Sequence, residues 1–220
     1  MTSLFEAILF DCDGVLVDSE PITMAVLRDM LAASGWDMPL ADCMAEFVGV
    51  TVRSKTALIE ARTGQPLTDA WMADFYAQRN AALTASLQAI PGAHAAVQAA
   101  HAAVGGRIAC ASGADRFKVE MQLAQVGLAP WFASAVFSGH EMPRTKPAPD
   151  VYLAAAAHLG AAPARCLVVE DTPTGIQAGV AAGATVWAYC PPGAAPAPLR
   201  DAGAQRVFAR MDDLPQLLAG

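Results

Sequence analysis

The sequence predicts an α/β protein whose parallel sheet is covered by helices on both faces. From Ile90 onward, short apolar runs of strand length alternate with segments of helical periodicity, a pattern typical of such a sheet. An earlier strand-like run, Leu4–Phe10, is followed instead by helical periodicity without a convincing strand from Glu20 to about Leu87. We therefore predict that the helical stretch is an insertion into the α/β domain.

The predicted elements follow from this division. Residues 1–16 and 88–220 are expected to form the α/β core, and residues 17–87 the helical insertion, placed over the end of the first strand. Helices are expected in the insertion at Pro21–Ala33, Leu40–Phe47, Thr51–Ala61 and Thr68–Ser86. The later core strands are expected at Arg107–Ala111, Ser134–Phe137, Cys166–Val169, Thr185–Tyr189 and Arg206–Phe208. The intervening segments are expected to be helices at Ala93–Ala103, Asp115–Val126, Pro149–Leu159 and Gly175–Ala182, and a surface loop at Pro191–Pro198.

Composition limits the classes of function. The chain of 220 residues is 55% hydrophobic and 16% charged, so a folded core is expected rather than disorder. Its net charge is −7 and it has no basic run, so neither nucleic acid nor an anionic membrane is expected as a partner. No apolar stretch approaches the ~18 residues of a membrane span, and no cationic region precedes the first apolar run, so neither a membrane span nor a signal peptide is expected. Five cysteines without CxxC spacing are expected to be free packing residues in a cytoplasmic protein.

Two acidic residues follow the first predicted strand directly. Asp11 and Asp13 are separated by one residue, and Gly14 permits a sharp turn after them. Ligands bind at the carboxyl ends of strands in open α/β sheets, and neighbouring acids repel each other there unless a cation or proton intervenes. The pair is therefore a candidate metal and reaction site; the alternative is that both acids merely cap the next helix.

Three further clusters come after later strands, so all four are expected at one edge of the sheet. They are Ser112-Gly113, Lys146 and Glu170-Asp171. Taken singly, each has a structural alternative: a turn or helix cap, a solvated loop lysine, and acids that favour a helix N-terminus. Together, acids, a hydroxyl beside backbone N–H groups and a cation match the needs of phosphoryl transfer.

Mg²⁺ is the cofactor that this set predicts, because it prefers hard oxygen ligands. Asp11, Asp171 and Glu170 are candidate ligands, and a carboxylate held beside the metal can attack phosphorus. Asp13 is expected to lie close enough to the attacking carboxylate to protonate the leaving oxygen and later to activate water. The candidate donors to the phosphate oxygens are Ser112, the backbone N–H groups of Gly113 and Ala114, and Lys146.

The four clusters resemble the motifs of a known family. In chain order they are Phe10–Glu20, Ala111–Gly113, Lys146–Asp150 and Val169–Gly175. They are similar to the four motifs of the haloacid dehalogenase-like (HAD) superfamily, which is dominated by Mg-dependent phosphatases and phosphotransferases. The resemblance covers nearly the whole chain, because the insertion is similar to the α-helical cap of the subfamily that contains β-phosphoglucomutase and phosphoglycolate phosphatase.

The resemblance implies a Rossmann-like three-layer core with an inserted all-helical cap. It also implies a Mg-dependent phosphomonoester hydrolase, monomeric or homodimeric, that acts on a small phosphorylated metabolite through an aspartyl-phosphate. Asp11 would be the nucleophile and a metal ligand, and Asp13 an acid/base that also gives its backbone carbonyl to the metal. By the same resemblance, Ser112 and Lys146 would contact the phosphate, and Glu170 and Asp171 would contact the metal.

Two rival functions stay open at this point. A sugar-phosphate mutase of the β-phosphoglucomutase type would use the same aspartyl-phosphate, although such mutases carry a His where this sequence has Thr23. A signalling receiver domain also phosphorylates an Asp, but normally in a smaller domain without a cap. Gly49–Lys55 resembles the substrate-specificity loop of the cap, so Arg53 and Lys55 are candidate substrate contacts; the alternative is a solvated helix start.

Overall fold

The computed structural model of the protein describes residues 4–220, and these divide into two compact units. The first unit runs up to Val17 and resumes at Ala89–Gly220, and the second is Asp18–Gln88. An antiparallel bridge joins Val17 to Ala89, so the chain leaves and re-enters the first unit at neighbouring points. The assignment of these units to a catalytic core and a cap stays a prediction.

A parallel sheet runs through the first unit, with six strands among the described residues. In chain order they are β1 (Ala7–Phe10), β2 (Ile108–Ser112), β3 (Val136–Ser138), β4 (Cys166–Glu170), β5 (Thr185–Tyr189) and β6 (Arg206–Phe208). Their order across the sheet is β3-β2-β1-β4-β5-β6, and each neighbouring pair is parallel. The predicted α/β class, with helices flanking a parallel sheet, is confirmed.

The register of the three central strands aligns their carboxyl ends. Phe10 of β1 pairs with Cys110 of β2 and with Val169 of β4. All three strands are buried along their whole length, as expected for apolar strands in a sheet covered by helices. Strand β1 begins at Ala7 rather than at the predicted Leu4, whose side chain is exposed and adds nothing to the core.

The second unit contains helices and no strand among residues 18–88. The helices are α1 (Glu20–Ala33), α2 (Leu40–Phe47), α3 (Thr56–Thr63) and α4 (Asp69–Ser86). They share an apolar core that includes Leu27, Phe47 and Phe75. The predicted helix Thr51–Ala61 is wrong in its first turn: Thr51 Oγ1 accepts from the Ser54 N–H at 3.2 Å, which favours a separate 3₁₀ turn before α3.

The helices of the first unit pack on the sheet or beside it. They are α5 (Ala93–Ala103), α6 (Arg116–Gln125), α7 (Ala129–Phe132), α8 (Asp150–His158), α9 (Pro173–Ala181), α10 (Ala197–Asp201) and α11 (Leu214–Ala219). Short Ala155 and Ala178 side chains join the sheet core from α8 and α9. The sequence analysis missed the single turn of α7, and α10 begins inside the predicted surface loop.

The five cysteines are all buried and free, as expected for packing residues. Burial raises the pKa of the Cys166 thiol to about 11, so this thiol stays protonated and poorly reactive at neutral pH. Across residues 4–220, none of the helices combines the length and the apolar character that a membrane crossing requires.

Candidate active site

Strand ends and one loop bring the predicted site residues of the first unit to a single edge of the sheet. Asp11 follows β1, and its backbone N–H donates to the Val169 carbonyl at 3.0 Å, which holds this residue against β4. Ser112 is the last residue of β2, and Glu170 is the last residue of β4. Lys146 reaches the same edge from the loop after β3, because its Nζ lies 2.6 Å from Asp11 Oδ1.

Three carboxylates form the centre of the site. Asp11, Glu170 and Asp171 each present an oxygen, and these oxygens all lie within 4.8 Å of one another. Asp11 is 7% exposed and Glu170 is 1% exposed, so water screens their repulsion poorly. Such a cluster is stable only if cations or protons compensate its charge.

Two glycines make room for these acids. Gly14 adopts a φ of +78°, and a Cβ on this residue would overlap Asp171 Oδ2. A Cβ on Gly175, in the first turn of α9, would overlap Glu170 Oε1. Backbone without side chains therefore lies directly against the carboxylates on both sides of the cluster.

Lys146 is the cation at the centre of the cluster. Its Nζ donates to Asp11 Oδ1 at 2.6 Å, to Glu170 Oε1 at 2.8 Å and to the Tyr152 hydroxyl at 2.8 Å. Burial by itself lowers the pKa of Lys146, but the Asp11 and Glu170 carboxylates outweigh burial and hold that pKa well above its usual range. The lysine is therefore a permanent cation that links two acids.

Asp11 remains short of compensating charge in spite of this lysine. Burial is the largest influence on its carboxyl, and Lys146 counters it only in part while Glu170 and Asp13 add repulsion. The net result raises the pKa of Asp11 to about 7. A bound divalent cation would lower that pKa and keep the carboxylate ionised at neutral pH.

Protein donors occupy both carboxylate oxygens of Glu170. Oε1 accepts from Lys146 and, at 2.9 Å, from the Tyr152 hydroxyl. Oε2 accepts from the Asp171 N–H at 2.9 Å and from the N–H and hydroxyl of Thr172, both at 3.0 Å. Burial raises the pKa of Glu170, but Lys146 and these donors outweigh it and leave the pKa below its usual range. Glu170 is thus an anion that fixes Lys146 and the turn after β4.

The chemistry of the donor set fits Mg²⁺. The cluster offers carboxylate oxygens and no nitrogen or sulfur, which is the ligand type that Mg²⁺ prefers. Because protein donors already occupy both Glu170 oxygens, this acid is poorly placed as a direct ligand. Its role would instead be indirect, because it holds the Lys146 side chain and the backbone of Asp171 in place around the site.

Asp13 has two partners that the sequence analysis missed. Lys118 Nζ donates to Asp13 Oδ1 at 2.8 Å, and Gln122 Nε2 donates to the same oxygen at 2.9 Å. Both belong to α6, four residues apart and therefore on one face of the helix. The sequence signal was available: polar residues stand at positions of α6 whose helical spacing matches the buried Val119 and Leu123.

The loop after β2 carries the predicted phosphate contacts. Ser112 is buried, and its Oγ accepts from the Ala114 N–H at 3.1 Å. Ser138 Oγ donates to the Ala114 carbonyl at 2.6 Å, so the end of β3 supports this loop. The phosphate-binding roles of Ser112 and Gly113 stay predictions.

The two candidate substrate contacts lie in the helical unit. Arg53 forms an ion pair with Asp69, and Lys55 Nζ lies 2.6 Å from Glu46 Oε1. Both pairs are partly solvent-exposed, so they constrain the basic side chains only weakly. A substrate role for Arg53 and Lys55 stays a prediction.

Comparisons with known proteins bear on what such a site does. A family model described as haloacid dehalogenase-like hydrolase matches residues 5–183. The chain is 29% identical over 189 residues to a 6-phosphogluconate phosphatase from Escherichia coli (strain K12), covering 86% of this chain and 84% of the relative. It is 29% identical over 184 residues to a fructose-1-phosphate phosphatase from the same strain, covering 83% and 95%. A solved HAD family hydrolase from Deinococcus radiodurans R1, with bound phosphate and sodium, has a TM-score of 0.82 at 34% identity, covering 99% and 96%.

Fold and comparisons together define the class of protein. The protein has a parallel sheet with acids and a lysine at the carboxyl edge, and a hydrolase family model matches most of its length. It is therefore a hydrolase. The chain belongs to the haloacid dehalogenase-like hydrolase family. Because named relatives over most of its length are phosphatases, the predicted family and the predicted phosphatase type of enzyme are both confirmed.

Proposed function

We propose that the protein is a Mg²⁺-dependent phosphomonoester hydrolase that acts on a small phosphorylated sugar or sugar acid through an aspartyl-phosphate on Asp11. The observation that carries this proposal is the cluster of Asp11, Glu170 and Asp171 oxygens within 4.8 Å, with Lys146 joined to two of them. The sugar-phosphate substrates of the two named relatives support the substrate class.

Asp11 and Asp13 divide the chemistry between attack and proton transfer. An Asp11 carboxylate oxygen attacks phosphorus, the ester P–O bond breaks, and Asp13 gives its proton to the departing alkoxide. Asp13 then takes a proton from water, whose oxygen attacks phosphorus. The P–O bond to Asp11 breaks, inorganic phosphate leaves, and both side chains return to their starting states.

Fixed donors stabilise the charge on the transferring phosphoryl group. Lys146, the Ser112 hydroxyl and the Gly113 N–H are the proposed donors, because they lie on elements that end at the same sheet edge as Asp11. Mg²⁺, when bound by Asp11 and Asp171 with the Asp13 carbonyl, would supply the positive charge that phosphate and carboxylates share.

The test is phosphate release from a panel of phosphorylated sugars and sugar acids, with and without Mg²⁺. We expect Mg²⁺-dependent release, and we expect Asp11→Asn to lower kcat by at least about a thousandfold because it removes the nucleophile. Circular dichroism should show that this variant keeps its fold. Near-normal turnover by Asp11→Asn, or release that ignores metal removal, would overturn the mechanism. Conversion of β-glucose 1-phosphate to glucose 6-phosphate without phosphate release would favour a mutase instead.

A further inference from the structure

We propose that Lys118 and Gln122 are positioning residues that hold the Asp13 carboxyl in the orientation required for proton transfer. This inference rests on the proposed acid/base function of Asp13. It adds two residues that none of the four sequence motifs contains.

Both donors converge on one oxygen of Asp13. Lys118 Nζ and Gln122 Nε2 lie 2.8 Å and 2.9 Å from Asp13 Oδ1. An oxygen that accepts from two N–H donors is a poor place for a proton, since the proton would face those donors. The proton that Asp13 exchanges with substrate is therefore assigned to Oδ2, and the two donors fix where Oδ2 points.

The two donors are themselves held in place. Gln122 is fully buried, and its Oε1 accepts from the Cys12 thiol at 3.6 Å, which orients the amide so that Nε2 faces Asp13. Lys118 is 7% exposed, and its backbone N–H donates to Asp115 Oδ1 at 2.9 Å in the N-cap of α6. A long lysine with little freedom is a rigid support rather than a mobile surface charge.

The start of α6 is also tied to a neighbouring strand end. Arg116 contacts Glu141, in the turn after β3, through two bonds of 2.6 Å. Bidentate arginine–carboxylate pairs fix geometry better than single contacts do. Helix α6 is thereby anchored at its first turn, and Lys118 and Gln122 project from it towards Asp13.

A purely structural role for Lys118 is the competing explanation, and leaving-group dependence separates the two. Alkyl phosphates need a proton donor when the alkoxide departs, whereas p-nitrophenyl phosphate releases a stable anion without one. Because kcat/KM reports steps up to the loss of the leaving group, it isolates the acid role of Asp13 from its later role as base. Misplacement of Asp13 should therefore affect kcat/KM for alkyl esters selectively.

The experiment compares Lys118→Met and Gln122→Met with wild type on alkyl and aryl phosphates. We expect Lys118→Met to lower kcat/KM on the order of tenfold to a hundredfold for alkyl phosphates and by less than about threefold for p-nitrophenyl phosphate. Lys118→Arg should recover part of the alkyl activity. Arg200→Met removes one exposed positive charge from α10, to which the site owes nothing, and its alkyl-to-aryl ratio should match that of wild type.

A double variant keeps the test decisive if Lys118→Met folds poorly. The Asp13→Asn/Lys118→Met variant has no Asp13 carboxylate for Lys118 to orient. Its kcat/KM for alkyl phosphates should therefore be no lower than that of Asp13→Asn alone. Two results would overturn the positioning role: an equal fall in kcat/KM for alkyl and aryl esters in Lys118→Met, or additive falls in kcat/KM in the double variant. If wild type hydrolyses no ester at all, the proposed function fails instead, so the two failures are distinguishable.

Discussion

At the scale of single residues, the site is organised by the charge around Asp11. Lys146 joins this carboxylate to Glu170, while the nearby carboxylates of Asp171 and Asp13 add negative charge. Burial and the neighbouring acids raise the pKa of Asp11 to about 7 in the metal-free protein. A divalent cation would therefore relieve an energetic cost that the folded chain otherwise carries.

The pH dependence of stability should reveal this cost. The ordinary pKa of Asp11 is 3.8, so between about pH 4 and pH 7 the folded protein binds more protons than the unfolded chain. The contribution of Asp11 to the unfolding free energy is complete below pH 4 and is lost as the pH rises towards 7. We predict that the unfolding free energy of metal-free wild type, minus that of Asp11→Asn, falls by up to a few kcal/mol across this range.

Urea unfolding at a series of pH values, in a chelator, measures that difference. The shift of Glu170 has the opposite sign but is present in both proteins, so the subtraction removes most of it. Added Mg²⁺ should stabilise wild type most at the upper end of the range and Asp11→Asn much less. A difference that stays flat with pH would contradict the raised pKa of Asp11.

At the scale of elements, the unit that shapes the site is the end of β4, its turn and the start of α9. Thr172 Oγ1 accepts from the Gly175 N–H at 3.1 Å as the N-cap of α9, and the same hydroxyl donates to Glu170 Oε2. Gly175 then lets the first turn of α9 lie against the Glu170 carboxylate. Helix capping, carboxylate binding and close packing thus occur within six consecutive residues, Glu170–Gly175.

Substitution of Gly175 by alanine distinguishes the effect of this close packing on stability from the effect of helix propensity. Alanine favours helices over glycine, yet its Cβ would overlap Glu170 Oε1 and displace the carboxylate that holds Lys146. We predict that Gly175→Ala lowers the unfolding free energy by about 1–3 kcal/mol and also lowers kcat. Gln177→Ala, at an exposed position of the same helix, should stay within about 0.5 kcal/mol of wild type. A Gly175→Ala protein as stable and active as wild type would show that the overlap is relieved at no cost.

Elements that local chemistry defines were predicted from the sequence, and the exceptions have physical causes. The strand Thr185–Tyr189 and the helix Ala93–Ala103 have their predicted bounds, because turn residues flank both. The segment Thr51–Ala61 has helical periodicity, but the Thr51 side chain caps Ser54 and breaks it into two elements. The turn of α7 is too short for periodicity to indicate it.

At the scale of the whole molecule, each compact unit has its own apolar core. The sheet core draws its residues from the first unit, and the helical core from Asp18–Gln88. The two chain crossings are neighbours: Val17 bridges Ala89, and the Asp18 N–H donates to the Gln88 carbonyl at 3.0 Å. A short linker can therefore replace the helical unit without stretching the first one.

We predict that residues 1–17 joined to 89–220 by a short Gly/Ser linker form a folded protein with cooperative unfolding. All six strands and the Asp11, Lys146 and Asp171 positions remain in it, so added Mg²⁺ should still raise its melting temperature. The matched control carries Asp11→Asn in the shortened chain and should lose most of that shift. A shortened chain that unfolds without cooperativity would show that the first unit depends on the second.

The sequence by itself determined the parallel α/β class and the clusters at its strand ends, because strand periodicity and turn chemistry are local properties of the chain. Only the tertiary structure decided which donors meet which acids. Lys118 and Gln122 stand 105 and 109 positions from Asp13, and Tyr152 meets Lys146 and Glu170 from α8. Such pairings depend on how helices are placed against the strands, and the periodicity of a single segment carries no information about that placement.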